Sequence, residues 1–390
     1  LFRSLQQLPP KGWIPFHLVA VLAEATGQWP QVFRCVSVTC IPKNDSPILD
    51  PDSIRAIGVS CVVYSLWSSV RFHHLSHWMN DVAPPGLLGG LPKRTTDLSE
   101  IQFSHTLHEH DGDESQKAVA IFIDRLKCFD LVIPQVAIGI AKSVGLPPLI
   151  SRAVLGFYTD QVKCFKIGSF FSGHVLSCNA AVQGCSMSVM MVNVMYSILV
   201  RSLQRVVPQV SISTFIDDCK IWGFQQFTHQ VVEAFEYISE FDQSIGQVLN
   251  DKKSQVLAST KQDARKIRKM VGRPIAVARQ VKSLGRVHQS CNTRDSTLQR
   301  KRVHSAIDTL SRIRSLPIPA DHRASYVQIH GHSKWIFGTE TQGVSIRDIR
   351  ALRTAVVNVL DPSNNKIRSP ALILATQKDP FLDPLAKWIF

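Results

Sequence analysis

Three aspartates stand where short apolar runs end. Asp124 closes the run Ala118–Ile123, and Asp217 and Asp218 follow the alternating run 210–216. A carboxylate at a strand end sits on a backbone that the sheet holds in place, and neighbouring strands of one sheet can bring two such ends together. Carboxylate oxygens are what a hard divalent cation prefers. Magnesium takes oxygen ligands in octahedral geometry and keeps positions open for substrate phosphates. Two such ions about 4 Å apart activate an attacking hydroxyl and stabilise a departing pyrophosphate. Taken singly neither site is specific, because Asp-Asp is common in turns and strands often end in Asp.

The elements that must position these residues are legible from pattern. Ala118–Ile123 is a short, wholly apolar run and reads as a buried strand. In 210–216, Val210, Ile212, Thr214 and Ile216 fall on one face and Ser211, Ser213 and Phe215 on the other, which is the period of a strand. Asp217-Asp218 then reads as a tight turn and 219–223 as the return strand of a hairpin. Residues 179–203 open small and polar and continue as an apolar helix. Its apolar core, 187–200, is interrupted by Ser188, Asn193 and Ser197, which predicts a buried helix rather than a membrane span. The acidic, histidine-bearing stretch 105–114 reads as an exposed loop. Pro84-Pro85-Gly86, Gly89-Gly90, Pro317 and Pro319 punctuate the chain, which shows no internal repeat and no low-complexity linker.

Bulk properties narrow the class. A chain of 390 residues with 45% hydrophobic and 19% charged residues buries a large core and implies two or three domains. The formal net charge is +14, which favours an acidic partner. Most of the excess lies in residues 261–314, where fifteen Lys/Arg stand against Asp263, Asp295 and Asp308. A block of like charge destabilises itself unless something anionic neutralises it, so this window is a candidate nucleic-acid contact. Nine cysteines without a CxxC pair argue against a disulfide framework and for a reducing, intracellular setting. The chain opens on Leu1 and reads as a fragment of a larger product.

The spacing of the motifs resembles that of reverse transcriptases. Ile123-Asp124-Arg-Leu-Lys-Cys-Phe129-Asp130 is similar to their first carboxylate motif, DxxxxFD. Ala181-Val-Gln183-Gly184-Cys-Ser-Met-Ser188 resembles QGxxxS, and Phe215-Ile216-Asp217-Asp218 resembles Y/F-x-D-D. Asn250-Asp-Lys252-Lys253-Ser254 looks like the lysine motif that follows, and Ser283-Leu284-Gly285 like the short LG element after it. Upstream, Ile41-Pro42-Lys43, Arg55-Ala56-Ile57 and Gly90-Leu-Pro-Lys-Arg-Thr95 stand where the fingers motifs stand. Most of these elements are weak alone, and their order over roughly residues 35 to 350 is what makes them specific. The overall look is closest to enzymes of non-LTR retrotransposons and group II introns.

The resemblance implies an α+β right-hand polymerase, with a palm of antiparallel sheet backed by helices. Fingers are expected over 30–115 with a return at 135–170, the palm over 116–134 and 171–287, and a helical thumb over 288–350. Residues 1–29 form an N-terminal extension, and 351–390 stay unassigned, with Trp388 and Phe390 marking a packed segment. Asp124 and Asp217, supported by Asp218, are implied ligands of two Mg²⁺ ions, with Mn²⁺ able to substitute. Phe129, five residues past Asp124, is the implied steric gate that leaves no room for a ribose 2′-OH and so selects dNTPs. Lys43 and Arg55 hold the triphosphate, the arginine able to make a bidentate contact. Gln183 lies against nucleotide and template strand, Gly184 permits close backbone approach, and Lys253 lies near the pyrophosphate and can protonate it. Arg286, Arg300, Lys301 and Arg302 contact the duplex of RNA template and DNA primer. Ser186 in place of the usual Pro of QGxPLS, and Ala56 in place of the Pro of RPI, alter loop geometry without removing a chemical group.

Three other classes account for parts of this pattern. An RNA-dependent RNA polymerase shares the paired aspartates, but it generally carries Asp where this chain has Phe129 and Gly where it has Ile216. A catalytically inactive nucleic-acid-binding relic has the same motifs and differs only in turnover. A zinc module is prompted by His73, His74, His77 and by His105, His108, His110, which lack cysteine pairs at ligand spacing.

Overall fold

A computed structural model describes residues 9–43, 54–108, 117–177, 179–289, 296–361, 369–375, 377 and 379–389. His110 and Phe390, and residues 109–114 of the stretch read as a loop, lie outside them. The chain divides into two compact units. One is drawn from residues 1–99, 118–256 and 265–277, the other from 100–117, 257–264 and 278–390.

The first unit is organised by two sheets. One contains β1 (Cys35–Pro42), β2 (Ile54–Ser60), β4 (Gln161–Ile167) and β5 (Phe170–Ser177) in the order β2-β1-β4-β5. Its β1–β4 pair is parallel, and the other two pairs are antiparallel. The second sheet has the order β6-β7-β3-β8-β9, with β3 (Ala118–Ile123) at its centre. All six residues of β3 are buried, as a strand covered on both faces requires, and the run of β-branched and aromatic side chains suits that place. β3 pairs antiparallel with β7 (Asp218–Phe224), and β7 with β6 (Ser211–Phe215). β8 (Gln255–Ala258) and β9 (Ala276–Val277) pair parallel, so the expected all-antiparallel sheet is mixed at that edge.

Helix Ser186–Val206 is the core helix of this unit, with thirteen buried residues from Met187 to Leu203. By length and composition it could cross a membrane, yet 72% of its apolar window is buried within the protein. It packs against helices Val62–His74 and Pro134–Ser143 and against β6, while helix Thr228–Ser244 covers β7 and β3.

The second unit is largely helical. Helix Thr297–Arg314 packs along helix Ile346–Leu360. Val303 and Ala306 meet Ile349, Leu352 and the fully buried Trp335, and Leu310 and Ile313 meet Val356 and Val359. A hairpin of β10 (Gln280–Ser283) and β11 (Arg286–Gln289) turns at Leu284-Gly285, both at positive φ (46° and 81°). That is the type I′ geometry a two-residue hairpin favours, and it gives the LG element a physical reason.

Two expectations change. The turn between β6 and β7 is Ile216-Asp217, and Asp218 pairs with Phe215 as the first residue of the return strand. Residues 170–177 join the sheet of β1, β2 and β4, because their backbone pairs with β4. Residues 105–108 are the last turn of helix Thr96–His108 rather than loop. The segment past 350, left unassigned by the sequence, packs as Trp388 suggested: Leu374, Leu382, Leu385 and Trp388 lie in or against the core of the helical unit.

Candidate active site

Register brings the aspartates together. Ile123 pairs with Cys219, so Asp124, one residue on, lies beside the start of β7 and the turn that carries Asp217. Asp124 is half-buried; Asp217 and Asp218 are exposed. Segment 250–254 fastens Asp124 from the other side. The Asn250 N–H donates to the Asp124 carbonyl (2.9 Å), Asn250 Nδ2 donates to Asp124 Oδ2 (2.9 Å), and the Asp124 N–H donates to Ser254 Oγ (3.1 Å).

Electrostatics show the same grouping. Burial pushes the Asp124 carboxyl above the usual range, Lys253 and the Asn250 hydrogen bond pull it down, Asp217 pushes it up again, and Lys43 lowers it. Asp124 therefore feels Asp217, Lys253 and Lys43 at once. Lys43 is exposed at the end of β1, and Arg55 is exposed on β2 opposite Ile41, at the same end of that strand pair.

A second group gathers around Phe129. This ring is half-exposed on the short helix Cys128–Leu131 and is no part of the buried core. Its carbonyl accepts from the Ala181 N–H (2.8 Å), and the Gln183 carbonyl accepts from the Gly58 N–H of β2 (3.1 Å). The chain between is thus stitched to both. Gly184 is at φ +102°, a conformation glycine adopts without strain, and a Cβ there would lie 3.4 Å from the Gly58 carbonyl. Asp130 is pushed up by burial and drawn down chiefly by Lys163, then Lys127 and a Gln183 hydrogen bond. A cavity of about 280 Å³ opens here, with Asp130, Lys163 and Gln183 among apolar neighbours such as Val36, Val38 and Phe165.

Behind the carboxylates lies a buried ion pair that sequence reasoning missed. Arg125 Nε donates to Asp242 Oδ2 (2.7 Å), with both side chains at 0–1% exposure, and Arg125 Nη1 donates to the Asp217 carbonyl (3.2 Å). The guanidinium sits 4.0 Å from the Tyr196 ring centroid. Burial pushes the Asp242 carboxyl up and Arg125 draws it down. An arginine directly after a buried strand was the available signal, since such a charge needs a partner. Asp242, on a helix 117 residues away, carried none.

The four basic residues expected to contact a duplex belong to the other unit and divide evenly. Arg286 is 2% exposed with its guanidinium 4.3 Å from the Phe337 ring centroid. Arg302 Nη1 donates to the Phe337 carbonyl (2.6 Å) and Nη2 to the Gly285 carbonyl. Both hold the β10–β11 hairpin against the helical core; Arg286 is buried there, while Arg302 is half-buried. Arg300 and Lys301 are exposed.

The oxygen donors fit a divalent cation of the magnesium kind. Among the described residues no group of three His, Cys, Asp or Glu side chains converges on a metal position. Magnesium does not require one, since it is held by one or two carboxylates with water and substrate phosphates completing the shell. Asp124 and Asp217 are the carboxylates placed to form such a pair; burial is the main cause of the raised Asp124 carboxyl, and Asp217 adds to it.

The sequence matches the family model described as reverse transcriptase (RNA-dependent DNA polymerase) over residues 41–287, more than half of the chain. The chain belongs to the reverse transcriptase family. Its match spans β2 to β10, the three aspartates, the Gln183-Gly184 segment and Lys253. Among solved structures it is similar to apo telomerase from Candida tropicalis (TM-score 0.53, 12% identity, 98% of this chain and 67% of that one). It is also similar to telomerase from Candida albicans in complex with a fragment of telomeric RNA (TM-score 0.50, 10% identity, 98% and 71%). At such identities the likeness establishes the fold, a right-hand polymerase of mixed α and β structure, as the motifs implied. No curated protein matches the sequence. Membership brings template-directed nucleotide polymerisation, and with it nucleic-acid template binding and divalent-metal dependence, as the chemistry of this reverse transcriptase fold.

Proposed function

We propose that this reverse transcriptase chain synthesises DNA from dNTPs on an RNA or DNA template by two-metal-ion nucleotidyl transfer, as the polymerase of an intracellular retroelement. The observation that carries the proposal is the grouping at the end of β3: Asp124 feels Asp217, Lys253 and Lys43 together, with Asn250 orienting it. Asp124 and Asp217 would hold the Mg²⁺ ions (or Mn²⁺), with Asp218 beside them. The bound ions would supply charge for the attacking 3′-hydroxyl and the departing pyrophosphate.

The remaining work falls to this chain's own side chains. Lys253 stands on the Asp124 side and is the candidate proton donor to pyrophosphate. Lys43 and Arg55, exposed at one end of the β1–β2 pair, are suited to the triphosphate. Phe129, half-exposed rather than packed in the core, is free to lie under the sugar and exclude a 2′-OH. Gln183, tied to Gly58 through its carbonyl, faces the cavity near Asp130 and is suited to contact the nucleotide and template. Arg300 and Lys301 remain candidates for the backbone of an RNA template paired with a DNA primer.

Primer extension on an RNA template with Mg²⁺ and dNTPs, run beside Asp217→Asn, tests the proposal. Extension by the parent and its loss in the variant is the expected result. Equal, background-level incorporation by both would mean a nucleic-acid-binding relic instead. Preference for rNTPs would point to RNA synthesis.

A further inference from the structure

Asp217 is held by its backbone. Among the described residues no hydrogen bond or ion pair reaches its carboxylate, and the side chain is exposed. Its predecessor Ile216 is at φ +59°, a left-handed conformation that costs a β-branched residue more than any other. A two-residue hairpin with positive φ at its first central position ordinarily has glycine there. Such a turn persists only where its surroundings over-determine it.

Two arms do so from opposite sides. We propose that Arg125 and the loop 86–90 form a clamp on the turn Ile216-Asp217, which makes Arg125 and Gly89 positioning residues for the Asp217 carboxylate. The proposal rests on the reading of Asp124 and Asp217 as a metal-binding pair, and it adds what sets their separation.

The first arm is Arg125, one residue after Asp124. Its Nη1 donates to the Asp217 carbonyl (3.2 Å) while Nε is anchored on the buried Asp242 (2.7 Å). One side chain thus ties the strand end that carries Asp124 to the backbone of Asp217. The second arm lies on β6. The Thr214 N–H donates to the Gly86 carbonyl (2.8 Å), and the Leu88 N–H donates to the Thr214 carbonyl (2.9 Å). A methyl at Gly89 would stand 2.5 Å from the Ile216 nitrogen and 2.7 Å from Ile216 Cγ1. Main chain there already touches main chain.

The loop is itself fixed. Asn193 Nδ2, on the buried face of the core helix, donates to the Gly89 carbonyl (2.7 Å). Arg94 Nη1 donates to the carbonyls of Pro84 and Leu87 (2.6 Å each). Pressure from the loop therefore reaches Ile216 without being absorbed by loop movement. Magnesium demands near-ideal geometry, so small displacements of one carboxylate matter.

Two variants separate positioning from folding. Arg125→Met with Asp242→Leu replaces the buried pair by apolar groups, an exchange that is often neutral for stability, while removing the bond to Asp217. Gly89→Ala leaves that pair intact and pushes on Ile216. Gly139→Ala, where an added methyl meets nothing within 4 Å, is the control. Hydrogen exchange read by mass spectrometry should rise about tenfold or more in peptides covering 211–219 in both variants, and stay unchanged in β3 and the core helix. In primer extension kcat should fall about tenfold with KM for dNTP within about twofold, and the Mg²⁺ needed for half-activity should rise. A merely structural role would lower the active fraction and leave the Mg²⁺ requirement alone. Unchanged hairpin exchange in both variants, or a rise spread evenly over β3 and the core helix, would overturn the clamp. If the parent extends no primer, the polymerase reading fails, and the exchange experiment still decides the clamp.

Discussion

Asp124 and Arg125 are neighbours in sequence and opposites in surroundings. Asp124 is half-buried, at the open end of the sheet, with a second carboxylate near enough to raise its pKa. Arg125 is buried, its charge matched by Asp242 and its guanidinium against Tyr196. The period of a strand sends adjacent side chains to opposite faces. One residue thus stands at the open side and the next faces the core, and the two differ in what they contribute. The open side keeps unneutralised charge available to a ligand, while the closed side uses paired charge to hold backbone in place.

Two variants can break that contrast, the larger effect first. Asp124→Asn should lower primer extension by about 10³-fold or more, because a metal-binding carboxylate is lost. Its melting temperature should be no lower than the parent's. The Asp124 carboxyl is raised in the folded protein, so its stabilising contribution is fully present below its unfolded pKa and is lost as pH rises through the folded one. Arg125→Met alone should do the reverse in kind: a loss of about 3–5 kcal/mol in denaturant unfolding, since it strands a buried Asp242. If Arg125→Met proved as stable as the parent, the closed side would not be the structural one.

The helical unit offers a buried polar group that stays neutral. His332 is 1% exposed, accepts from Trp335 Nε1 at Nδ1 (3.0 Å) and donates from Nε2 to the Leu382 carbonyl (3.2 Å). Burial lowers its pKa from 6.5 to about 4. The folded state therefore binds fewer protons than the unfolded one. Stability is fully present above pH 6.5 and falls as pH drops towards 4, by at most about 3 kcal/mol. Unfolding midpoints measured between pH 7.5 and 4 should show this slope, and His332→Phe should flatten it.

Ala180 gives the smallest effect. It is at φ +78°, just before the segment that carries Gln183 and Gly184. Ala180→Gly should raise stability by about 0.5–1 kcal/mol, the left-handed cost removed less the extra entropy of glycine. A fall in melting temperature would show that the alanine methyl contributes packing that outweighs the strain.

Much of the candidate site was legible because its residues lie at the ends of regular elements, where period and punctuation are strong. Ala118–Ile123 reads as a buried strand from six apolar residues, and it is one. The hairpin after residue 210 is visible from alternation, though the turn is displaced by one residue because Ile216 adopts a conformation that its side chain opposes. Charge was less informative. Arg286 and Arg302 look the same in sequence as Arg300 and Lys301, yet the first two are held against Phe337 and hairpin carbonyls. Composition counts charges and cannot say which of them face water.

The sequence by itself determined the family, the order of the motifs and which carboxylates end on strands, because these depend on residue type and on spacing along one chain. Tertiary structure alone decided that Asn250 and Ser254 fasten Asp124, that Asp242 neutralises Arg125, and that the glycines at 86 and 89 lie close against the hairpin. Each of these contacts joins residues far apart in the chain, between elements whose local patterns carry no record of the partner. Local periodicity specifies which face of an element is apolar. Only packing specifies what that face meets.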